Sequence, residues 1–190
     1  FLNKENKLEN PYQTSWGVTT RMIGAIIMTH SDDRGLVLPP NIAPIKVNLI
    51  PIGNDENVLN KIKEIKNSLD NENITNNVDT SDKTPGFKFA EAEVKGYPIR
   101  LELGRRDFEE GKVTLVRRDT LEKIDVPFES IIETIKTLLG TIQDNLYNRA
   151  LERRNTMLHT ADTYEKFKTI ASTKPGFIKI NWCGDMACEE

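Results

Sequence analysis

Between Ile45 and Leu69 the hydrophobic period changes from two to 3.6 across a single turn, and few folds accommodate that change. Ile45, Val47 and Leu49 alternate with polar neighbours up to Ile52, and Gly53-Asn54-Asp55 supplies the turn. Val58, Ile62, Ile65 and Leu69 then recur at spacings of four, three and four, with lysines on the opposite face. This is a β-turn-α unit, and it commits the middle of the chain to an α/β architecture.

The neighbouring segments extend that reading. Residues 99–103, Ile-Arg-Leu-Glu-Leu, alternate cleanly as a strand, and residues 113–116 and 123–126 add two more at hairpin-like spacing. A short helix is expected around 89–94. The longest helix opens on a Ser130-x-x-Glu133 capping box, carries Ile131, Ile135, Leu138, Ile142, Leu146 and Ala150 on one face, and runs to about Met157. Asp162-x-x-Glu165 is a second helix start, followed by Tyr164, Phe167 and Ile170, and residues 177–182 alternate as a strand. Upstream, the dense apolar block 22–28 reads as a buried helix ended by residues 31–35. Leu36-Val37-Leu38 before Pro39-Pro40 reads as a short strand, and residues 71–85 as a polar, Asn-rich loop.

Composition excludes several function classes. In 190 residues, 37% hydrophobic and 29% charged side chains are too apolar for a disordered chain. The apolar run 22–28 stops at His30, too short to cross a bilayer, so no membrane partner is expected. A formal charge of −3 gives no general field for polyanions, so any nucleic-acid contact must come from a local patch. Two cysteines and no opening signal peptide point to a reducing, cytoplasmic setting. The polar first fifteen residues, beginning at Phe1, read as a cut inside something longer.

Chemistry-bearing groups are few. No Ser-His-Asp elbow, phosphate-cradling glycine loop or HExxH helix is present. Cys183 and Cys188 make half of a tetrahedral zinc site, or else two inert thiols or a labile disulfide. Asp32 and Asp33 read as a solvated turn, and His30 as a helix-terminal histidine satisfied by the last carbonyls. Residues 93–118 stand apart, with seven basic and five acidic side chains. Arginines on strands with Glu93 nearby suit exposed base edges, guanidinium for acceptors and carboxylate for amino and imino donors. An ordinary charged sheet surface would show the same composition.

Taken together these segments resemble the prolyl-tRNA synthetase family. TSWGVTTRMIGAIIMTHSDDRGLVLPPNIAPIKVNLIPI (14–52) resembles its third class II signature motif and the crossing into the anticodon-binding domain, and KGYPIRLELGRRDFEEGKVTLVRRDT (95–120) resembles the core of that domain. NWCGDMACEE resembles the start of the C-terminal zinc-binding region of the archaeal/eukaryotic-like form. The resemblance implies three parts. Residues 1–43 would be the last strand and helix of the catalytic domain, and 44–150 an anticodon-binding domain with a mixed five-stranded sheet flanked by helices. Residues 151–190 would begin a truncated α+β domain.

The resemblance also implies roles. Arg21 would be the catalytic arginine contacting ATP, with Ser15, Trp16, Gly17 and Thr19 at the edge of the ATP and proline pocket. Glu93, Arg100 and Arg106 would read the two guanines of the proline anticodon. The family usually has Gly-Pro-Lys where this chain has Gly104-Arg105-Arg106, which keeps the charge and changes the contact geometry. The parent enzyme would be a homodimer using ATP with Mg2+, proline and proline tRNA. Zinc would belong to its full-length C-terminal domain and is not expected to be bound here. The first two class II motifs are not in this sequence, so this chain alone is not expected to aminoacylate. Competing readings are a free-standing RNA- or protein-binding module, a histidine, threonine or glycine ligase of the same subclass, and a zinc-dependent structural protein.

Overall fold

Leu49, Leu101 and Leu115 stand side by side on three adjacent strands, all fully buried, and the main layer is built outward from them. A computed structural model describes residues 1–182 and Gly184. Its strands β1 (Val47–Pro51), β2 (Asn76–Val78), β3 (Ile99–Leu103), β4 (Lys112–Arg117) and β5 (Lys123–Pro127) form one five-stranded sheet in the order β2-β1-β3-β4-β5. The first three are parallel and the last two antiparallel, the mixed sheet expected.

Helices α2 (Glu56–Asn71), α3 (Pro85–Lys95), α4 (Arg105–Glu109) and α5 (Ile131–Thr156) surround it. Asp55 caps α2 by accepting from the Asn57 amide at 2.9 Å, and Val58, Ile62, Ile65 and Leu69 are its buried face. With Ile131, Ile135, Ile142 and Leu146 of α5 they cover one side of the sheet, meeting Val47, Leu49, Ile99, Leu101 and Leu103 in a single core cluster. Alternation puts Asn48, Ile50, Arg100 and Glu102 on the other side.

Ahead of the sheet, α1 (Arg21–His30) forms as expected but buries no residue completely. Met22, Ile23, Ile27 and Met28 remain exposed, and α1 packs chiefly along α5. After α5, β6 (Leu158–Thr160), α6 (Tyr164–Thr173) and β7 (Phe177–Lys179) make a separate β-α-β unit with two parallel strands.

Several local expectations are corrected. Residues 36–38 are extended but not a strand: the Leu36 and Leu38 amides donate to Val94 O (3.1 Å) and Gly96 O (3.4 Å), the end of a helix instead of a sheet edge. Val37 between them joins the core cluster. The Asn-rich loop contains β2, whose Asn77 amide donates to Asn48 Oδ1 at 2.8 Å, so side-chain pairing replaces apolar alternation there. α3 starts earlier than expected, with Pro85 in its first turn where a missing N–H costs nothing. Ser130 precedes α5 without capping it, since its hydroxyl is turned back to Pro127 O at 3.3 Å. The cap of α6 is Thr163, accepting from the Lys166 amide, while Asp162 pairs with the Lys166 ammonium at 2.7 Å.

Candidate nucleic-acid interface

Arg100 emerges from the middle of β3 beneath α3 and is held on all sides. Its Nε donates to Glu102 Oε1 at 2.8 Å, and its Nη1 to Glu93 Oε1 at 3.1 Å and Phe89 O at 3.3 Å. The guanidinium lies 4.7 Å from the centroid of the Phe89 ring. The Arg100 side chain is 8% exposed and that of Glu93 16%, which makes this a buried ion pair at the edge of solvent. Arg100 Nη2 has no hydrogen bond among the described residues. Glu102 comes from the same strand two residues on, so strand periodicity places it beside Arg100, and Glu93 comes down from α3.

Glu93 has a second cationic neighbour, Arg34, whose Nη1 lies 3.3 Å from Oε2. Arg34 belongs to a turn anchored by Arg118. That guanidinium grips both oxygens of Asp32 (2.8 and 2.6 Å) and donates through Nε to Glu93 O at 3.1 Å. Asp32 is an exposed turn residue, as read, and its carboxylate is in addition paired with Arg118, which no spacing rule between residues 32 and 118 predicts. Arg118 is buried, and its hydrogen bonds hold the Asp32 carboxyl down at about 2, from an ordinary 3.8.

A pH dependence follows from that shift. The folded-state value lies below the unfolded one, so the Asp32 contribution to stability is complete above pH 4 and is lost as pH falls through about 2. Asp32→Asn is expected to be less stable than the unmodified protein at pH 7, with the gap closing toward pH 2. Urea titrations across that range check this; a gap independent of pH would disprove it.

Arg106 stands apart from the pair. It lies in the first turn of α4 with its side chain 89% exposed, bonded through Nε to Glu110 Oε1 at 2.9 Å. The structure thus joins Glu93 to Arg100 directly and puts Arg106 on the surface beyond the end of β3. A cleft of about 380 Å3 opens on the β2 flank of α3, lined by Asn48, Asn77, Glu91, Lys95 and Tyr97 among others.

The residues upstream do not enclose a ligand. Ser15, Trp16, Gly17, Thr19 and Arg21 are all exposed, Trp16 at 92%. Thr19 Oγ1 accepts from the Arg21 amide at 3.4 Å, and the Arg21 guanidinium has no partner among the described residues. By themselves these five residues do not fit around a nucleotide. His30 stands in the last turn of α1 as expected, without a hydrogen bond to a carbonyl among the described residues, and partial burial and the Arg149 charge shift its pKa down. No group of three or more His, Cys, Asp or Glu side chains among the described residues is placed to hold a metal ion. Cys183 and Cys188 lie outside those residues. His159 has its Nε2 3.1 Å from Pro175 O. No described helix is long and apolar enough to cross a membrane.

A mixed sheet carrying an arginine–carboxylate cluster beneath α3 agrees with the family that the sequence matches: residues 46–138 fit the anticodon-binding domain. Beyond the domain, the chain is similar along its whole length to proline–tRNA ligases. Those of Lachnospira eligens and Clostridium novyi are 48% and 50% identical, and proline–tRNA ligase 2 of Bacillus cereus is 48% identical. The chain covers 40% of each of these relatives. The chain thus carries an anticodon-binding domain and is similar on both sides of it to proline–tRNA ligases.

Proposed function

We propose that this chain is the tRNA-recognising part of an ATP-dependent proline–tRNA ligase, with Glu93 and Arg100 reading anticodon guanines and Arg106 approaching from the exposed turn of α4. The observation that carries the reading is the fixed Arg100–Glu93 pair. A buried guanidinium with an unused Nη2 sits against a carboxylate, which offers donor and acceptor side by side to a guanine edge. Both groups are immobilised before any base arrives, so little ordering is lost on binding.

Similarity on both sides of residues 46–138 supports the ligase over a free-standing binding module, which would need the domain alone. The same reading assigns residues 1–43 to the end of a catalytic domain, 44–150 to the anticodon-binding domain and 151–190 to the start of a further one. It gives Ser15, Trp16, Gly17, Thr19 and Arg21 a place at an ATP and proline pocket that other residues must complete. Proline, ATP with Mg2+ and proline tRNA are then the substrates, and a cytoplasmic homodimer the setting. Zinc has no support among the described residues.

Binding to proline tRNA at fixed moderate salt tests this, beside a transcript whose anticodon guanines are changed. The unmodified chain is expected to favour the unchanged transcript by about 1–3 kcal/mol, and Glu93→Ala to lose that preference. Equal binding of both transcripts by the unmodified chain refutes the assignment. Arg106→Ala separates a base contact, which lowers the preference, from a phosphate contact, which weakens both transcripts alike.

A further inference from the structure

Arg34 is the one cation in the Glu93 cluster whose backbone is locked and whose guanidinium is largely open. Its turn is tight: the Asp32 and Gly35 backbones exchange hydrogen bonds (3.2 and 3.1 Å), and Asp32 Oδ1 accepts the Arg34 amide at 2.9 Å. The turn also lies directly against α3. Gly35 has φ +138°, and a Cβ there would meet the Val94 Cα at 2.4 Å, so only glycine permits this approach beside Glu93. Arg118 fastens the assembly by holding Asp32 and Glu93 O at once. The Arg34 side chain, 58% exposed, makes a single 3.3 Å contact to Glu93 Oε2, and its remaining N–H groups have no partner among the described residues.

We propose that Arg34 is a further specificity-determining residue of the base-reading site, presented to a guanine beside Glu93 by the Asp32–Arg118 clamp; this rests on Glu93 and Arg100 reading a base. A carboxylate has about four lone-pair sites, so Arg100 and Arg34 each leave an acceptor position on the oxygen they touch. A guanine edge donates to those positions and presents O6 and N7 as acceptors. Arg34, held by one bond and open to solvent, is the group free to turn toward them. Arg100 is committed through Nε and Nη1 to Glu102, Phe89 O and Glu93, which leaves a base only its Nη2. Phosphate gripping fits less well. Arg34, Arg100, Arg118 and, at 4.0 Å from Glu102, Lys123 face Glu93, Glu102 and Asp32, and a cluster so nearly balanced has little attraction for a backbone anion. Asp32 and Arg118 are positioning residues: they set where Arg34 starts without reaching the base.

The same two transcripts test this with the full chain. Arg34→Ala is expected to cut the preference for the unchanged anticodon about tenfold. Arg34→Lys, which keeps the charge and loses the fork, is expected to cut it about as much. Asp32→Asn is expected to cut it less, and Asp32→Asn with Arg34→Ala no more than Arg34→Ala alone. Both single Arg34 variants alter an exposed side chain, so their folding is not at stake. If Arg34→Ala weakens both transcripts equally and lowers the salt slope by about one, Arg34 is a phosphate contact and the proposal falls. It falls equally if the Arg34 variants keep the full preference while Glu93→Ala loses it. If Glu93→Ala itself keeps the preference, the base-reading site is what has failed.

Discussion

Arg100→Ala is expected to destabilise the folded protein by about 3–5 kcal/mol at pH 7, the range for removing one partner of a buried ion pair. Two carboxylates depend on this guanidinium. Glu102, 9% exposed, keeps only a 4.0 Å approach from Lys123, and Glu93 keeps only the single Arg34 contact. Phe89 O also loses a donor. The cost therefore comes from charges left without partners, so it should be recoverable at a second site. Glu102→Gln in the Arg100→Ala background is expected to restore part of the loss, although Glu102→Gln alone is expected to destabilise the unmodified protein. Urea denaturation of the four proteins in this cycle measures the coupling. A loss below about 1 kcal/mol for Arg100→Ala would mean that water replaces the guanidinium without penalty and that the pair is not buried in solution.

The adjacent residue fails for a different reason. Leu101 points to the opposite side of β3, fully buried between Leu49 and Leu115 in the core cluster. Leu101→Ala is expected to cost about 2–5 kcal/mol through lost transfer energy and an unfilled cavity. No charge is stranded, so no second-site neutralisation recovers it, but volume does: Leu101→Met is expected to cost under about 1.5 kcal/mol. Equal losses for Met and Ala would show that shape at this position, more than volume, sets the stability. Two neighbouring residues thus separate the two ways this sheet is held, by charge pairing beneath α3 and by close packing beneath α2 and α5.

Where burial follows one period, the elements were legible. Val58, Ile62, Ile65 and Leu69 define α2 within the bounds observed, and the apolar row of α5 matches its buried face. The strand pattern of β3 was read correctly, yet both of its faces are buried, because Arg100 and Glu102 neutralise each other and so occupy a position that alternation marks as solvent. β2 escaped notice since three residues of Asn-Asn-Val carry too short a pattern. α4, five residues long, has no apolar period of its own. In the site, Glu93 and Arg100 were found through the resemblance and through local charge, and the structure brings them into contact. Asp32, Arg34 and Arg118 were not, because residues 86 positions apart meet only once the sheet has formed. The glycine of the Asp-Asp-Arg-Gly turn was the available signal, and its need for close backbone approach is visible only with α3 in place.

The sheet ends in two strands that do not invite a neighbour. β2 offers three residues, two of them asparagines already engaged by their own side chains. β5 turns Lys123, Asp125 and Pro127 to the surface; the proline has no N–H to give, and Asp125 is bonded to Lys112 at 2.9 Å and to Thr114. Short length, charge and proline are the features that blunt a β-edge against strand addition. Two copies of the domain consequently have no long exposed ladder along which to align, which makes this sheet a poor template for edge-to-edge association at high concentration.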